Sequence, residues 1–244
     1  MYDACILQEV DNFRYLGLTL HRNGNVKCSQ QVLIKQSIKA KAVVEKYLRK
    51  HKHTPVKIIF ELFDTLVRPI ILFNCEIWGI NVCKEIEQFH LSFMKSVLGV
   101  KPTTNSCLIY AETGRYPLYI NIYTRIIKYW LKLVTMPEHR YICIVYNMSS
   151  TPWSVFVRKL LFEYGFGYVW ETGAAYIHHS LFIKQFEQRV KDIFVQSSHA
   201  DIAKSNRCFL YNALDRDFSM AKYLLSIHIH SNRKSMTKLR LSSH

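Results

Sequence analysis

The chain has 244 residues, enough to bury a sizeable core in one or two domains, and its 49% apolar and 14% aromatic content excludes disorder over most of that length. Only 8 Gly and 6 Pro are present, too few for a loop-rich all-β fold. The 33 Lys and Arg outnumber the 18 Asp and Glu, and the net charge of +15 favours an anionic partner: nucleic acid first, an acidic membrane surface second.

The 7 cysteines are odd in number and irregularly spaced, which is typical of a reducing compartment rather than of a disulfide framework. We therefore expect an intracellular protein, with nucleus and cytoplasm both open. No cysteine pair lies near His178-His179 or His228-x-His230, so these are interpreted as surface histidines and no metal site is predicted. The chain opens without a signal-peptide pattern and its apolar runs are too short to span a bilayer, so no membrane partner is expected.

The first predicted element is a β-hairpin. Aromatic and alternating apolar residues predict a half-buried strand: Phe13, Tyr15, Leu16, Leu18 and Leu20. The sequence Asn23-Gly24-Asn25 tolerates positive φ and is predicted to form the turn, followed by a short returning strand from Val26 to about Ser29. An isolated hairpin is barely stable in water and no further strand-rich region follows, so we expect its sheet to lie outside this sequence.

A helix is predicted next, from a Ser29 cap to about Lys50. Its apolar residues share one broad face: Leu33, Ala40, Val44, Tyr47 and Leu48. Four lysines lie on a different face, within about a sixth of a turn of one another: Lys35, Lys39, Lys46 and Lys50. Between Lys27 and Lys57 there are nine Lys or Arg, Arg49 among them, and a single acid, Glu45. Such a run usually marks a solvated face, but the lack of interspersed acids makes phosphate contact an equal alternative.

The rest of the sequence is predicted to be largely helical. Thr54-Pro55 begins a second helix, which Pro69 should kink or break, and a third runs from Glu85 to a Gly99 cap. Further helices are predicted over 108–113, 120–136, 152–163, 176–198, 215–227 and, in amphipathic form, within 231–244. Four aromatic residues at helical spacing are predicted to be core rather than base-stacking surface: Trp78, Trp130, Phe89 and Tyr129. The predicted fold class is mainly α, with an N-terminal β-hairpin followed by a multi-helix bundle and a further helical region.

Residues for catalysis are sought and not found. The sequence has no glycine-rich phosphate loop, no G-x-S-x-G and no H-E-x-x-H, and its acids are few and scattered. The one close aspartate pair, Asp215-x-Asp217, is interpreted as an N-capping pair rather than as a metal site. No catalytic residue, cofactor or small-molecule substrate is therefore predicted.

Five segments, in order, nevertheless follow a recognisable pattern. They are FRYLGLTLHRNGN (13–25), LFDTLVRPIILFNCEIWG (62–79), the stretch 86–133, the run ETGRYPL (112–118) within it, and MTKLRLSSH (236–244). Together they resemble the C-terminal part of reverse transcriptases of LINE-type (non-LTR) retrotransposons. The similarity extends from about Val10 to His244, and it is a similarity of pattern rather than a physical argument.

The resemblance implies an organisation and a set of roles. It implies a palm-end β-hairpin remnant at 1–28, a helical thumb-like domain at 29–150 and a helical C-terminal region at 151–244 that stops before any zinc cluster. The hairpin residues that correspond to the element holding the primer end are Phe13, Tyr15, Leu16 and Gly17. The basic helix would lie along the template–primer backbone, with Lys35, Lys39, Lys46, Lys50 and Arg49 as phosphate contacts.

The departures from the family decide what activity is expected. Polymerisation in the family uses Mg²⁺ held by palm aspartates, and this sequence has no Asp-Asp at all. The resemblance therefore implies a non-catalytic part of an RNA-directed DNA polymerase that lacks its upstream palm domain and keeps RNA or RNA–DNA hybrid as its partner. The alternative is an inert or repurposed α-helical protein-interaction module with no nucleic-acid role.

Overall fold

A computed structural model describes residues 9–148, 150–205, 208, 211 and 218–241. The fold is mainly helical with an N-terminal two-stranded antiparallel hairpin, as the sequence predicts. The strands are β1 (Asn12–Tyr15) and β2 (Leu18–His21). The helices before residue 100 are α1 (Lys27–Lys50), α2 (Val56–Leu62), α3 (Arg68–Ile71), α4 (Cys75–Trp78) and α5 (Lys84–Leu98), with a π-helical stretch at Phe63–Val67 and a 3₁₀ turn at Gly79–Asn81.

The remaining helices of the described residues follow in chain order. They are α6 (Ser106–Thr113), α7 (Leu118–Val134), α8 (Tyr141–Met148), α9 (Pro152–Glu163), α10 (Gly167–Glu171), α11 (His179–Lys204), α12 (Lys222–Ser226) and α13 (His230–Arg240). Of the helix predicted over 215–227, residues 215–217 lie outside the described residues, as do the Asp215 and Asp217 carboxylates. The short helices α8 and α10 were not predicted.

The hairpin turn differs from the predicted one. The strands pair with Tyr15 opposite Leu18, so the turn is Leu16-Gly17, with φ of 45° and 86°. A two-residue turn of this kind needs positive φ at both central positions, and Gly17 supplies one of them without strain. The prediction of a turn at Asn23-Gly24-Asn25 is wrong: that segment is a second bend, with Gly24 at φ 68°, that leads into α1.

Helix α1 begins two residues before the predicted cap. The Asn25 side chain accepts a hydrogen bond from the Lys27 amide at 2.9 Å, and Ser29 instead donates its hydroxyl to the carbonyl of Thr19 in β2. The segment predicted as a returning strand is therefore the first turn of α1, and Ser29 fastens the hairpin to it. Tyr47 is also placed wrongly by the helical wheel, since it is 47% exposed and lies against His51 rather than in the core.

Pro69 neither breaks nor ends its helix. The chain stays helical from Val56 to Ile71, because the turn before Pro69 widens into a π-helix at Phe63–Val67. A proline in a regular helix lacks an N–H and crowds the carbonyl four residues earlier. The π-helix shifts the hydrogen-bond register before Pro69, so Pro69 lies in the first turn of α3.

The segment after α3 is locked to α7 and α9. Trp78 is fully buried and donates its indole N–H to the carbonyl of Phe73 at 2.8 Å. A Cβ on Gly79 would lie 2.3 Å from Cγ2 of Ile122, so glycine permits α7 to approach this closely. Trp153 of α9 donates its indole N–H to the carbonyl of Glu76 at 2.7 Å, which joins the C-terminal half to this segment.

One hydrophobic core runs through the described residues, from Leu18 of the hairpin to Leu241 after α13. Helix α11 packs against α6 and α7, and α13 packs against α5. Trp78, Trp130 and Phe89 are buried in this core, as predicted, and Tyr129 is half-buried with its ring edge-on to Trp153. Within the part of the chain that the structure describes, no helix is both long and apolar enough to cross a membrane.

Candidate nucleic-acid interface

The five basic residues predicted as phosphate contacts all lie exposed on α1: Lys35, Lys39, Lys46, Arg49 and Lys50. The buried residues of the helix, which include Leu33, Ser37 and Val44, lie on its far side. From Lys35 to Lys50 the exposed basic face extends about 22 Å along the helix axis. We call these five residues the basic face.

No carboxylate of the described residues pairs with the basic face. Glu45 is the single acid of α1, and it contacts Lys41 at 3.5 Å on another side of the helix. Like charges spaced by a helical turn disfavour an isolated helix by a few tenths of a kcal/mol per pair, so this face costs stability that packing elsewhere offsets. Its positive potential is left open to solvent and to an anionic partner.

The hairpin residues predicted to hold the primer end differ in exposure. Phe13 and Tyr15 are each 58% exposed and Leu16 is 74% exposed, so the hairpin tip presents apolar side chains to solvent. Gly17 is half-buried, and a Cβ there would lie 3.1 Å from the ring of Phe73. Among the described residues, no hydrogen bond or ion pair joins these four residues to the basic face.

An open cleft of about 760 Å³ lies at the C-terminal end of α1, where that helix meets α2, α5 and α13. Its charged and titratable lining consists of Glu45, Arg49, His51, Lys52, His230 and Arg233. Its apolar lining consists of Leu48, Ile59, Phe93 and Val97. Arg49 belongs both to the cleft and to the basic face.

Arg233 and His230 are the cleft residues that sequence reasoning missed. They contact the end of α1 through tertiary packing, although about 180 residues separate them from it in the sequence. No local sequence pattern predicts that contact. His230 was interpreted as a surface histidine, and it is indeed exposed, but its ring also accepts a hydrogen bond from Arg233 at 3.3 Å. Burial, together with the charges of Arg233 and Lys234, lowers the pKa of His230.

The charged residues of the sequence motifs pair with one another inside the fold. Arg115 of the ETGRYPL run forms a bidentate pair with Asp64 of the segment 62–79, and its guanidinium lies 4.9 Å from the centre of the Phe60 ring. Glu112 of the same run is fully buried and is held bidentately by Arg240 of the C-terminal segment. These residues hold three of the segments together, which is a structural role.

Burial raises the pKa of two titratable groups in the described core. Burial raises the pKa of the Cys75 thiol to about 12, so it stays protonated and is a poor nucleophile. Burial and the neighbouring Glu87 raise the pKa of the Tyr110 hydroxyl, which donates to that carboxylate. Within the described ranges, no three His, Cys, Asp or Glu side chains come together as a metal site requires.

Comparisons of the chain with protein-family models, with curated proteins and with solved structures find no match. The resemblance to LINE-type reverse transcriptases therefore depends on the sequence motifs alone.

Proposed function

We propose that the chain binds nucleic acid without catalysis, and that the basic face of α1 contacts the phosphate backbone of RNA or of an RNA–DNA hybrid. The observation that carries the proposal is the geometry of that face: five exposed cationic side chains along about 22 Å of helix, with no described carboxylate to neutralise them. A duplex places about six base pairs in that length, so several phosphates lie within reach of the face at once.

Contacts of this kind position a strand without reading its bases. Lys and Arg recognise phosphates through charge and hydrogen bonding, which are the same for every sequence. Three of the aromatic residues considered for base stacking, Trp78, Trp130 and Phe89, are buried and cannot reach a base. The proposal is therefore for binding that is tolerant of sequence and strongly dependent on salt.

The resemblance to LINE-type reverse transcriptases supports this proposal, because it assigns the same helix to the template–primer backbone. On that basis the chain corresponds to a non-catalytic part of an RNA-directed DNA polymerase, an intracellular protein whose polymerase chemistry and Mg²⁺ would belong to a palm domain outside this sequence. The primer-end role of Phe13, Tyr15, Leu16 and Gly17 belongs to this proposal as well. It fits the exposure of Phe13, Tyr15 and Leu16, which leaves the hairpin tip free to contact a strand or the palm.

The test is fluorescence anisotropy with a labelled RNA–DNA hybrid, titrated at several salt concentrations. Replacing Lys35, Lys39, Lys46 and Lys50 by Ala should weaken binding and reduce the slope of log affinity against log salt by about three to four, close to one for each lost phosphate contact. A matched control replaces four exposed lysines of other helices: Lys128, Lys132, Lys159 and Lys184. The control removes the same charge, so an equal loss in both variants would show non-specific attraction and would contradict the assignment to α1.

A protein-interaction module is the second candidate, and one observation favours it. The hairpin presents Phe13, Tyr15 and Leu16 to solvent next to the outer edge of β1, which no described strand pairs with. Exposed apolar residues on a strand edge are typical of a protein contact. Under this alternative, the wild-type chain shows no measurable affinity for the hybrid at moderate salt. The double substitution Phe13→Ser and Tyr15→Ser would then abolish its association with a protein partner, whereas the variant that replaces the four lysines would not.

A further inference from the structure

The cleft at the end of α1 contains a buried guanidinium without a carboxylate partner. Arg233 is 4% exposed, and no carboxylate of the described residues lies within ion-pair distance of it. Among the described residues, it donates to the carbonyl of Ile227 at 3.4 Å and to the ring of His230 at 3.3 Å, both long contacts. A guanidinium has five N–H donors, so Arg233 has donor capacity to spare.

The other charges of the cleft do not balance Arg233. Arg49 and Lys52 add two cations, and the one carboxylate in the lining, Glu45, is engaged by Lys41. A buried charge is costly when it lacks an opposite charge. The cleft therefore gathers three cationic side chains from α1, the following loop and α13 around space that a small anion can enter.

We propose that this cleft binds the phosphate group of a phosphate monoester. Arg233 and Arg49 can each present a planar pair of donors, the geometry that suits phosphate oxygens, and Lys52 adds a mobile ammonium. The apolar residues Ile59, Phe93 and Val97 line the same cleft and provide a surface for the organic part of the ester. Burial and the charges of Arg233 and Lys234 lower the pKa of His230, and a phosphate dianion that enters the cleft would raise it.

The site shares Arg49 with the basic face, but it does not require a strand to lie along that face. The phosphate has two possible sources: a free monoester such as a mononucleotide, or the terminal phosphate of an oligonucleotide. Both share the same chemistry, so the test has one arm for each source.

The test follows the imidazole resonances of the full chain by NMR during titration with inorganic phosphate, at constant pH and matched ionic strength in chloride. Of the 11 histidines, His51 and His230 line the cleft and the others report non-specific effects. Saturable shifts confined to His51 and His230 support the site. The proposal is overturned if phosphate causes no shift, if chloride causes the same shift, or if all the histidines shift equally.

Variants then tie the shifts to the cleft. Lys52→Ala removes an exposed cation from the lining and should weaken phosphate affinity about three- to tenfold, whereas Lys39→Ala, on the basic face outside the cleft, should leave it unchanged. Arg233→Lys keeps the charge but loses the planar donors, and should weaken binding in the same direction. Equal affinities for wild type, Lys52→Ala and Arg233→Lys would overturn the proposal even if an imidazole shift is seen.

The source arms compare a mononucleotide with oligonucleotides that carry a 5′-phosphate or a 5′-hydroxyl. Tighter binding of the phosphorylated strand, lost in Lys52→Ala, identifies a strand end as the source. Shifts with the mononucleotide but equal binding of both strands identify a free monoester. The four-lysine variant separates this site from the proposed function. It should lose hybrid binding but keep the phosphate-induced shifts, so hybrid affinity tests the proposed function and the imidazole shifts test the cleft.

Discussion

The guanidinium of Arg240 holds the carboxylate of Glu112 in the core, with Nε 2.7 Å from Oε1 and Nη2 3.2 Å from Oε2, across 128 positions of sequence. Glu112 is fully buried, whereas the Arg240 side chain keeps 20% of its exposure and lies over the Tyr223 ring. Removing the partner of a buried charge is more costly than removing an exposed one, so the two halves of this pair should not be equivalent.

Replacing Arg240 by Met should lower the free energy of unfolding by about 3 to 5 kcal/mol, because it leaves the Glu112 carboxylate buried and unpaired. Glu112→Gln should cost less, about 1 to 3 kcal/mol, since Arg240 can turn toward water. The double variant should lose less than the sum of the two, which urea denaturation of the four proteins measures as a double-mutant cycle. The partly exposed pair Glu187–Lys191 is the control and should contribute at most about 1 kcal/mol. Additive losses would mean that the two residues act independently.

Gly114 should be intolerant of alanine. It ends α6 at φ 62°, and a Cβ there would lie 2.5 Å from the backbone nitrogen of Met220, which pairs with Thr113. We expect Gly114→Ala to lower the free energy of unfolding by about 3 kcal/mol or more. This loss combines the cost of a left-handed backbone at alanine with the cost of a clash against the Met220 backbone. Gly165→Ala is the matched control: it has φ 83° with nothing near its Cβ, so it should cost only the backbone share, about 1 to 2 kcal/mol. Thermal unfolding of both variants makes the comparison, and equal losses would contradict the close approach at Met220.

Much of the helical framework follows from the sequence because its signals are local. Gly99 ends α5 in a left-handed conformation, and Pro55 immediately precedes α2, as predicted. Pro69 was misjudged because the cost of proline depends on hydrogen-bond register, and a π-helical turn changes that register without leaving a sequence mark.

The candidate site divides in the same way. Exposure of the basic face could be predicted, because helical periodicity fixes which side of α1 faces the core. The cleft could not, since Arg233 reaches α1 from another helix and its lack of a carboxylate partner is a property of the packed structure. The same holds for the pairing of Arg115 with Asp64, which joins two motifs that the sequence shows only as separate patterns.

His230 should titrate below its ordinary pKa of 6.5, because burial and the cations Arg233 and Lys234 disfavour its charged form. The same cleft is also lined by Arg49, His51, Lys52 and Glu45. Positive charge on the first three disfavours a charged His230 ring, whereas the Glu45 carboxylate favours it. A histidine whose pKa is lowered by folding binds fewer protons in the folded state than in the unfolded state. Its contribution to the free energy of unfolding is therefore full above pH 6.5 and is lost as the pH falls through the folded pKa. NMR titration of the ring checks this, and Arg233→Lys should leave the pKa low while Arg233→Met should raise it. A pKa at or above 6.5 in the wild type would contradict the cationic cleft.

Leu16 is the residue at which the hairpin turn is least suited to its sequence. It has φ 45° and is 74% exposed, so its side chain strains the backbone and gains little from packing. Asparagine tolerates this conformation, and Asn-Gly is the preferred pair for a two-residue hairpin turn, so Leu16→Asn should stabilise the chain by about 0.5 to 1 kcal/mol. Leu20→Asn is the control: Leu20 is 46% exposed in β2, where a strand residue gains nothing from asparagine, and this variant should be neutral or destabilising. Urea midpoints of the two variants decide the matter. If Leu16→Asn destabilises the fold, the exposed leucine is held by a contact that outweighs the turn, and the hairpin tip packs differently from the structure described above.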